Sequence, residues 1–197
     1  MRWRIISIGA AAAAIILPIF MAYGLKPYQR SRVLTFLNPE RDPTGASYHI
    51  IQSKIALGSG GVNGKGFMKG TQAHLNYVPE NSTDFIFTVI GEEFGLVGGI
   101  GLLILYSLIL GLCLGMAVRT KPVFSRLLIM GIMSTFALYI FINLSMVMGM
   151  APVVGVPLPL VSYGGTVMLA VMAGFGLILS AHIHRDDRLP RGASLLI

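Results

Sequence analysis

The sequence predicts an all-α polytopic membrane protein with four transmembrane helices and one large extracytoplasmic loop that carries an amphipathic helix. Three observations carry that prediction. Of the 197 residues, 54% are hydrophobic and only 12% are charged, about half the charged share of an average soluble domain. Four predominantly apolar stretches reach the roughly 20 residues that a helix needs to cross the hydrocarbon. Basic residues gather beside those stretches, as they do on the cytoplasmic side of membrane spans. The same composition excludes intrinsic disorder, which requires low hydrophobicity. The single cysteine, Cys113, excludes a disulfide framework. The net charge of +7 raises nucleic acid as a partner. No stretch combines dense Lys/Arg with stacking aromatics, however, so no nucleic acid is expected.

The first transmembrane helix is expected within residues 1–25, where Arg2 and Arg4 precede an uncharged run rich in Ala and Ile. Pro18 is tolerable there, because a neighbouring helix in lipid can satisfy the freed carbonyl. The apolar run exceeds the 7–15 residue core of a secretory signal, so a retained span is expected. Residues 26–84 form the large extracytoplasmic loop. Long translocated segments largely escape the charge rule, so its basic residues do not contradict that side. Within it, residues 47–57 read as a short helix with Tyr48, Ile51 and Ile55 on one face and Gln52 and Lys54 on the other. The run Gly58-Ser59-Gly60-Gly61 is expected to stop it, and it is expected to lie on the outer membrane surface.

Residues 85–117 form the second span and residues 118–123 a cytoplasmic turn containing Arg119 and Lys121. Residues 124–150 form the third span. Residues 151–162 make an uncharged, Pro/Gly-rich extracytoplasmic loop in which Pro152, Pro157 and Pro159 forbid a continuous helix. So many apolar residues in irregular chain favour a segment lining a cavity over a plain hairpin. Residues 163–184 close the set of spans. Residues 185–197 form a short cytoplasmic tail with Arg185, Arg188 and Arg191. Both termini are therefore expected in the cytoplasm of a multi-pass inner-membrane protein surrounded by membrane lipids.

Asp84 stands where the loop meets the second span. Two readings are open: an ordinary helix-start carboxylate favoured by the dipole, or a general base at the mouth of a membrane cavity. Glu92 lies about 12 Å farther along a continuous helix, at about 1.5 Å per residue, and about 80° round from Asp84. It is a candidate for the same cavity, whereas Glu93 would face another helix or the head groups. The glycine-rich stretch 58–70 surrounds Lys65 and Lys69. Its amides and lysines could cradle a pyrophosphate, although a flexible linker is the simpler reading. It lacks the spacing of a nucleotide P-loop. Asn81-Ser82-Thr83 matches the glycosylation pattern by chance. His49, His74, His182 and His184 show no zinc spacing, so no metal ligands are assigned.

Longer motifs go further. Asn38-Pro39-Glu40-Arg41-Asp42-Pro43, Tyr48-His49-Ile50-Ile51-Gln52-Ser53-Lys54-Ile55-Ala56, Gly58-Ser59-Gly60-Gly61, Gly70-Thr71-Gln72, Val78-Pro79-Glu80, Thr83-Asp84-Phe85, Glu92-Glu93-Phe94-Gly95 and Pro157-Leu158-Pro159-Leu160-Val161-Ser162-Tyr163-Gly164-Gly165 occur in that order. Together they resemble the SEDS family of cell-wall polymerases, and the wording is closer to the RodA (elongation) branch than to the FtsW (division) branch. The resemblance implies a peptidoglycan glycosyltransferase that polymerises lipid II, with Asp84 as the general base. Lys54, Lys65, Lys69, Glu92, Ser162 and Tyr163 are its candidate substrate-binding residues. It further implies a class B penicillin-binding protein as the crosslinking partner. The leaving pyrophosphate needs cationic groups or a divalent cation, Mg or Mn. Ser145 departs from the family's usual glycine but is small enough for close helix packing. The four spans would correspond to the C-terminal portion of a roughly ten-helix fold, at about 20 residues per span, so that Met1 would be an internal start or a fragment edge. A lipid-linked precursor flippase and a non-enzymatic scaffold of the wall-synthesis complex are the rival functions.

Overall fold

A computed structural model of the chain describes residues 26–37, 46–70 and 83–186. The span expected in 1–25 and the tail beyond residue 186 lie outside the described residues. Those residues contain five helices: α1 (Pro27–Leu37), α2 (Ala46–Gly60), α3 (Ile86–Arg119), α4 (Val123–Val147) and α5 (Gly165–Ile183). Three of them, α3, α4 and α5, are long and apolar enough to cross a membrane. No more than 22% of the most apolar window of any of the three is buried inside the protein. Leu105, Leu108, Leu112, Phe141 and Leu169 instead point outward. Such outward faces suit lipid, which solvates them as well as a protein core would.

α3 and α4 run antiparallel through the short turn 120–122, and α5 packs against both. Near the start of α3 the core holds Phe87, Tyr106, Phe136, Ile140 and Leu158. Nearer the opposite end it holds Cys113, Ala117, Ile129, Ile178 and Ala181. Phe136 links the three helices, meeting Tyr106 edge-on at 5.9 Å and Phe175 at 5.3 Å. α4 stops at Val147 and not at residue 150. Gly149 adopts φ +69°, and the N–H groups of Gly149 and Met150 donate to Met146 O and Ser145 O. These are the two bonds of a left-handed helix stop, which glycine adopts without strain.

α2 includes the expected residues 47–57 and sets a face of small residues against the rest of the protein. Ser53, Ala56 and Gly60 are its buried face, whereas Ile51 and Ile55 are exposed. The helix runs through Gly58 to Gly60 and ends inside the glycine run, where Gly61 takes φ +57°. Ser53 Oγ donates to Val147 O at 3.0 Å and accepts from Thr88 Oγ1 at 2.7 Å, tying α2 to α3 and α4 at once. Its single hydrogen goes to the carbonyl, so Thr88 must be the other donor.

The expected helix 85–117 is bent. Gly95 has φ +65° and ψ −159°, outside helical space. In a straight helix the N–H groups of Leu96 and Val97 would donate to the carbonyls of Glu92 and Glu93. Here Lys65 N–H and Gly66 N–H take those carbonyls at 3.0 and 2.9 Å. Leu96 N–H and Val97 N–H donate instead to Gly61 O and Val62 O, at 3.0 and 3.2 Å. Segment 61–66 is therefore a strap that supplies partners for these four backbone groups at the bend. It is not a flexible linker. Backbone meets backbone there, and a methyl on Gly64 would overlap the Glu93 carbonyl.

At the far end, Lys121 Nζ pairs with Asp186 Oδ1 at 2.7 Å and Lys121 N–H donates to Arg185 O at 3.3 Å. The hydrogen bond and charge of Lys121 hold the Asp186 carboxyl below its ordinary value. A lowered carboxyl adds stability that is complete above the unfolded-state value and is lost as pH falls through the folded one.

Two outcomes follow for thermal unfolding in detergent. Gly64→Ala, at φ +76° with its methyl against the Glu93 carbonyl, should cost more than about 2 kcal/mol. Gly58→Ala, in a helix with nothing within 4 Å, should be neutral or stabilising by up to about 1 kcal/mol. In the same assay Asp186→Asn should lower Tm slightly at neutral pH, and that difference should shrink as the pH falls below the ordinary carboxyl value of about 4.

Candidate active site

Segment 151–164 is not a helix, because its prolines lack donors and break the helical path. Within it Val161 N–H and Ser162 N–H donate to Leu158 O, and other carbonyls are claimed by side chains from elsewhere. Arg32 Nη1 of α1 donates to Val154 O at 3.0 Å. Asn143 Nδ2 of α4 donates to Val156 O at 2.7 Å, and Tyr106 OH of α3 donates to Pro159 O at 2.6 Å. Ser162 Oγ accepts from Leu158 N–H at 2.7 Å and donates to Thr83 O at 2.5 Å. The segment is thus fixed over the start of α3, with Leu158 and Pro159 buried.

Asp84 lies beneath it, half-buried, in the turn 83–85 that precedes α3. Its own carbonyl accepts the second hydrogen of the Asn143 amide at 2.8 Å. Ser162 holds the carbonyl one residue earlier, so the backbone is clamped on both sides of the aspartate. Gly155, at φ +78°, passes so close to the carboxylate that a methyl there would sit 3.2 Å from Asp84 Oδ2. Asn143 is wholly buried, and its Oδ1 has no hydrogen-bond partner. A buried orphan acceptor is costly, which marks the orientation as set by the two carbonyls that need the amide hydrogens.

The other candidates separate into different surroundings. Glu92 is completely buried and its Oε1 pairs with Lys65 Nζ at 2.6 Å, so both side chains fasten the strap to α3. The amides of Lys65 and Gly66 are spent on the helix, and that pair of donors is not a pyrophosphate cradle. Glu93 is buried beside them. Lys69 is exposed on the strap. Lys54 reaches along α2 to the end of α4, where its Nζ would lie 2.6 Å from a methyl on Gly149. Ser162 acts within the loop, whereas Tyr163 is 81% exposed.

Sequence reasoning missed Asn143, Tyr106 and Arg32 as members of this site. For Asn143 the signal was present: an amide in an apolar span must be satisfied within the protein, and so marks a polar contact. Arg32 and Tyr106 bond to carbonyls far away in the chain, which no local pattern announces. Among the described residues no group of three or more His, Cys, Asp or Glu could hold a metal ion. A half-open apolar groove of about 760 Å³ runs between α4 and α5, from Pro159 at the site end to Leu127 and Leu177.

Comparisons with known proteins give a consistent result. The family model FtsW/RodA/SpoVE, described as "Cell cycle protein", matches residues 1–187. The chain is 50% identical over 185 residues to the peptidoglycan glycosyltransferase MrdB of Escherichia coli K12, covering 94% of the chain and 50% of that protein. It is 43% identical over 156 residues to the peptidoglycan glycosyltransferase RodA of Treponema pallidum, covering 79% of the chain and 36% of that protein. A solved peptidoglycan synthase complex, described as coordinating polymerization and crosslinking, contains a chain that superposes with TM-score 0.72 at 34% identity. That match covers 94% of the present chain and 51% of the other. The crystal structure of a point variant of the Thermus thermophilus rod shape determining protein RodA matches with TM-score 0.52 at 39% identity, over 54% and 36% of the two chains. The chain spans about half the length of the curated MrdB relative.

Removing the Lys65 amine should unfold the strap end of the protein. Lys65→Ala leaves the Glu92 carboxylate buried beside a lost partner and should cost about 3–5 kcal/mol in thermal unfolding. Adding Glu92→Gln to that variant should recover part of the loss.

Proposed function

Because the chain belongs to the FtsW/RodA/SpoVE family, we propose that it carries the catalytic carboxylate of a peptidoglycan glycosyltransferase that polymerises lipid II during cell elongation. The enzyme would work at the outer face of the cytoplasmic membrane, with both chain ends on the cytoplasmic side and a class B penicillin-binding protein as crosslinking partner. One observation carries the reading. Asp84 is clamped through its backbone by Asn143 and Ser162, and the irregular segment 151–164 passes directly over its carboxylate at Gly155.

In the proposed step Asp84 accepts the proton of the acceptor sugar's 4-hydroxyl as that oxygen attacks the anomeric carbon of the donor. The new carbon–oxygen bond forms on the face opposite the leaving group. The bond from the anomeric carbon to the diphosphate oxygen breaks, and its electron pair departs on undecaprenyl diphosphate. The linkage inverts from α to β-1,4. Fixing the base before substrate arrives removes part of the entropy cost of the reaction. Cationic groups must face the leaving diphosphate; Lys54 and the exposed Lys69 remain candidates, whereas Lys65 is committed to Glu92. A Mg or Mn ion would take its oxygen ligands largely from the diphosphate. The apolar groove opening at Pro159 offers a path for the polyprenyl chain.

A flippase needs a polar path across the whole membrane. Away from Asp84 the described bundle is filled by Cys113, Ala117, Ile129 and Ile178, which supports chemistry at one face over translocation. The decisive assay uses the full-length protein with its class B partner and purified lipid II. Asp84→Asn should lower polymerisation at least 100-fold, the lower range for loss of a general base being about that size. Undiminished glycan synthesis would reject Asp84 as the base, and translocation without polymer would point to the flippase. Gly155→Ala, which intrudes on the carboxylate, should also slow polymerisation while leaving the protein folded.

A further inference from the structure

Arg32 is the side chain that neither the sequence motifs nor the base mechanism explains. It projects from the middle of α1, is exposed, and gives one N–H to Val154 O at 3.0 Å. A guanidinium has five donors, so most of its capacity is left over. No carboxylate lies within ion-pair reach of it among the described residues. Holding one loop carbonyl does not require a permanent charge.

Its position relative to Asp84 is set by a short stretch of loop. Val154 carries the carbonyl that Arg32 grips, and the next residue, Gly155, lies against Asp84 Oδ2. Across one peptide unit the guanidinium and the carboxylate are therefore no more than about 10 Å apart. In-line displacement sets its own ruler. A base oxygen sits about 2.7 Å from the attacking hydroxyl, that oxygen approaches carbon at about 3 Å, and the leaving phosphorus lies about 8 Å from the base. A donor bound to that phosphate falls inside the range available to Arg32. Lys54 stands at the other end of the same loop, beside Gly149. A lysine at the end of α4 is already accounted for by the helix dipole, so it is the second cation and Arg32 the first.

We propose that Arg32, assisted by Lys54, binds the diphosphate of the polyprenyl-linked donor and of the product that leaves. The assignment rests on the polymerase reading of Asp84 and adds the group that meets the departing charge. A planar, permanently charged fork suits a diphosphate better than a lone ammonium does.

The test uses the full-length protein with its partner and two probes, geranylgeranyl diphosphate and phosphatidylglycerol. Arg32→Gln keeps a donor for Val154 O and removes the charge. It should weaken binding of geranylgeranyl diphosphate at least 10-fold, with Arg32→Lys intermediate and Asp84→Asn no weaker than wild type. Phosphatidylglycerol binding should be unchanged in all three. Wild-type affinity for the diphosphate in Arg32→Gln overturns the proposal. An equal loss for phosphatidylglycerol overturns it too, assigning Arg32 to bulk lipid head groups. If Asp84→Asn polymerises normally while Arg32→Gln loses the diphosphate, the base assignment falls and the diphosphate site stands.

Discussion

Backbone groups at membrane depth cannot fall back on water, and most of the features of this chain follow from that constraint. Two departures from helix occur around the candidate site: the bend at Gly95 and the proline-broken segment 151–164. Each would strand donors or acceptors worth several kcal/mol in hydrocarbon. The strap 61–66 repairs the first with four backbone bonds. Arg32, Asn143, Tyr106 and Ser162 repair the second with side chains. Two of the groups that repair the second defect, Asn143 and Ser162, also hold the backbone at Asp84. Satisfying the backbone and building the site are one operation.

The Lys65–Glu92 pair belongs to the same logic. Burying a carboxylate costs several kcal/mol, and pairing returns that cost only with close geometry. At 2.6 Å, and with the neighbouring backbone already bonded across the same interface, the geometry is close. The pair adds register to the strap. A shift by one residue would misplace the amine and both amides together, which an apolar contact would tolerate.

The apolar runs were enough to locate three spans, because periodicity is unnecessary where a helix is apolar all round. The two faces of α2 call for a related distinction. In water, Ile51 and Ile55 would mark the buried side; beside lipid, the close contact is made by small residues, here Ser53, Ala56 and Gly60. The placing of Glu92 relative to Asp84 assumed that both lie on one helical wheel. Asp84 precedes the helix, which begins at Ile86, so the wheel does not include it. The strap was illegible because its partners are backbone atoms about thirty residues away, and glycine content alone does not distinguish a linker from a close-packed crossing. Asn143 was legible in principle, as a lone amide in an apolar run.

The backbone and the side chain of Asp84 meet different kinds of neighbour. Its backbone is held from both sides, by Asn143 at its own carbonyl and by Ser162 at the preceding one. Its carboxylate instead faces a residue without a side chain, Gly155. Under the proposed reading Asp84 receives a proton from a sugar hydroxyl, and the two backbone bonds fix where that base stands. With the main chain already fixed, less of it is left to be ordered in that step. Any other residue at position 155 would be strained at φ +78° and would press on the carboxylate. The requirement for glycine there therefore comes from the site as much as from the turn.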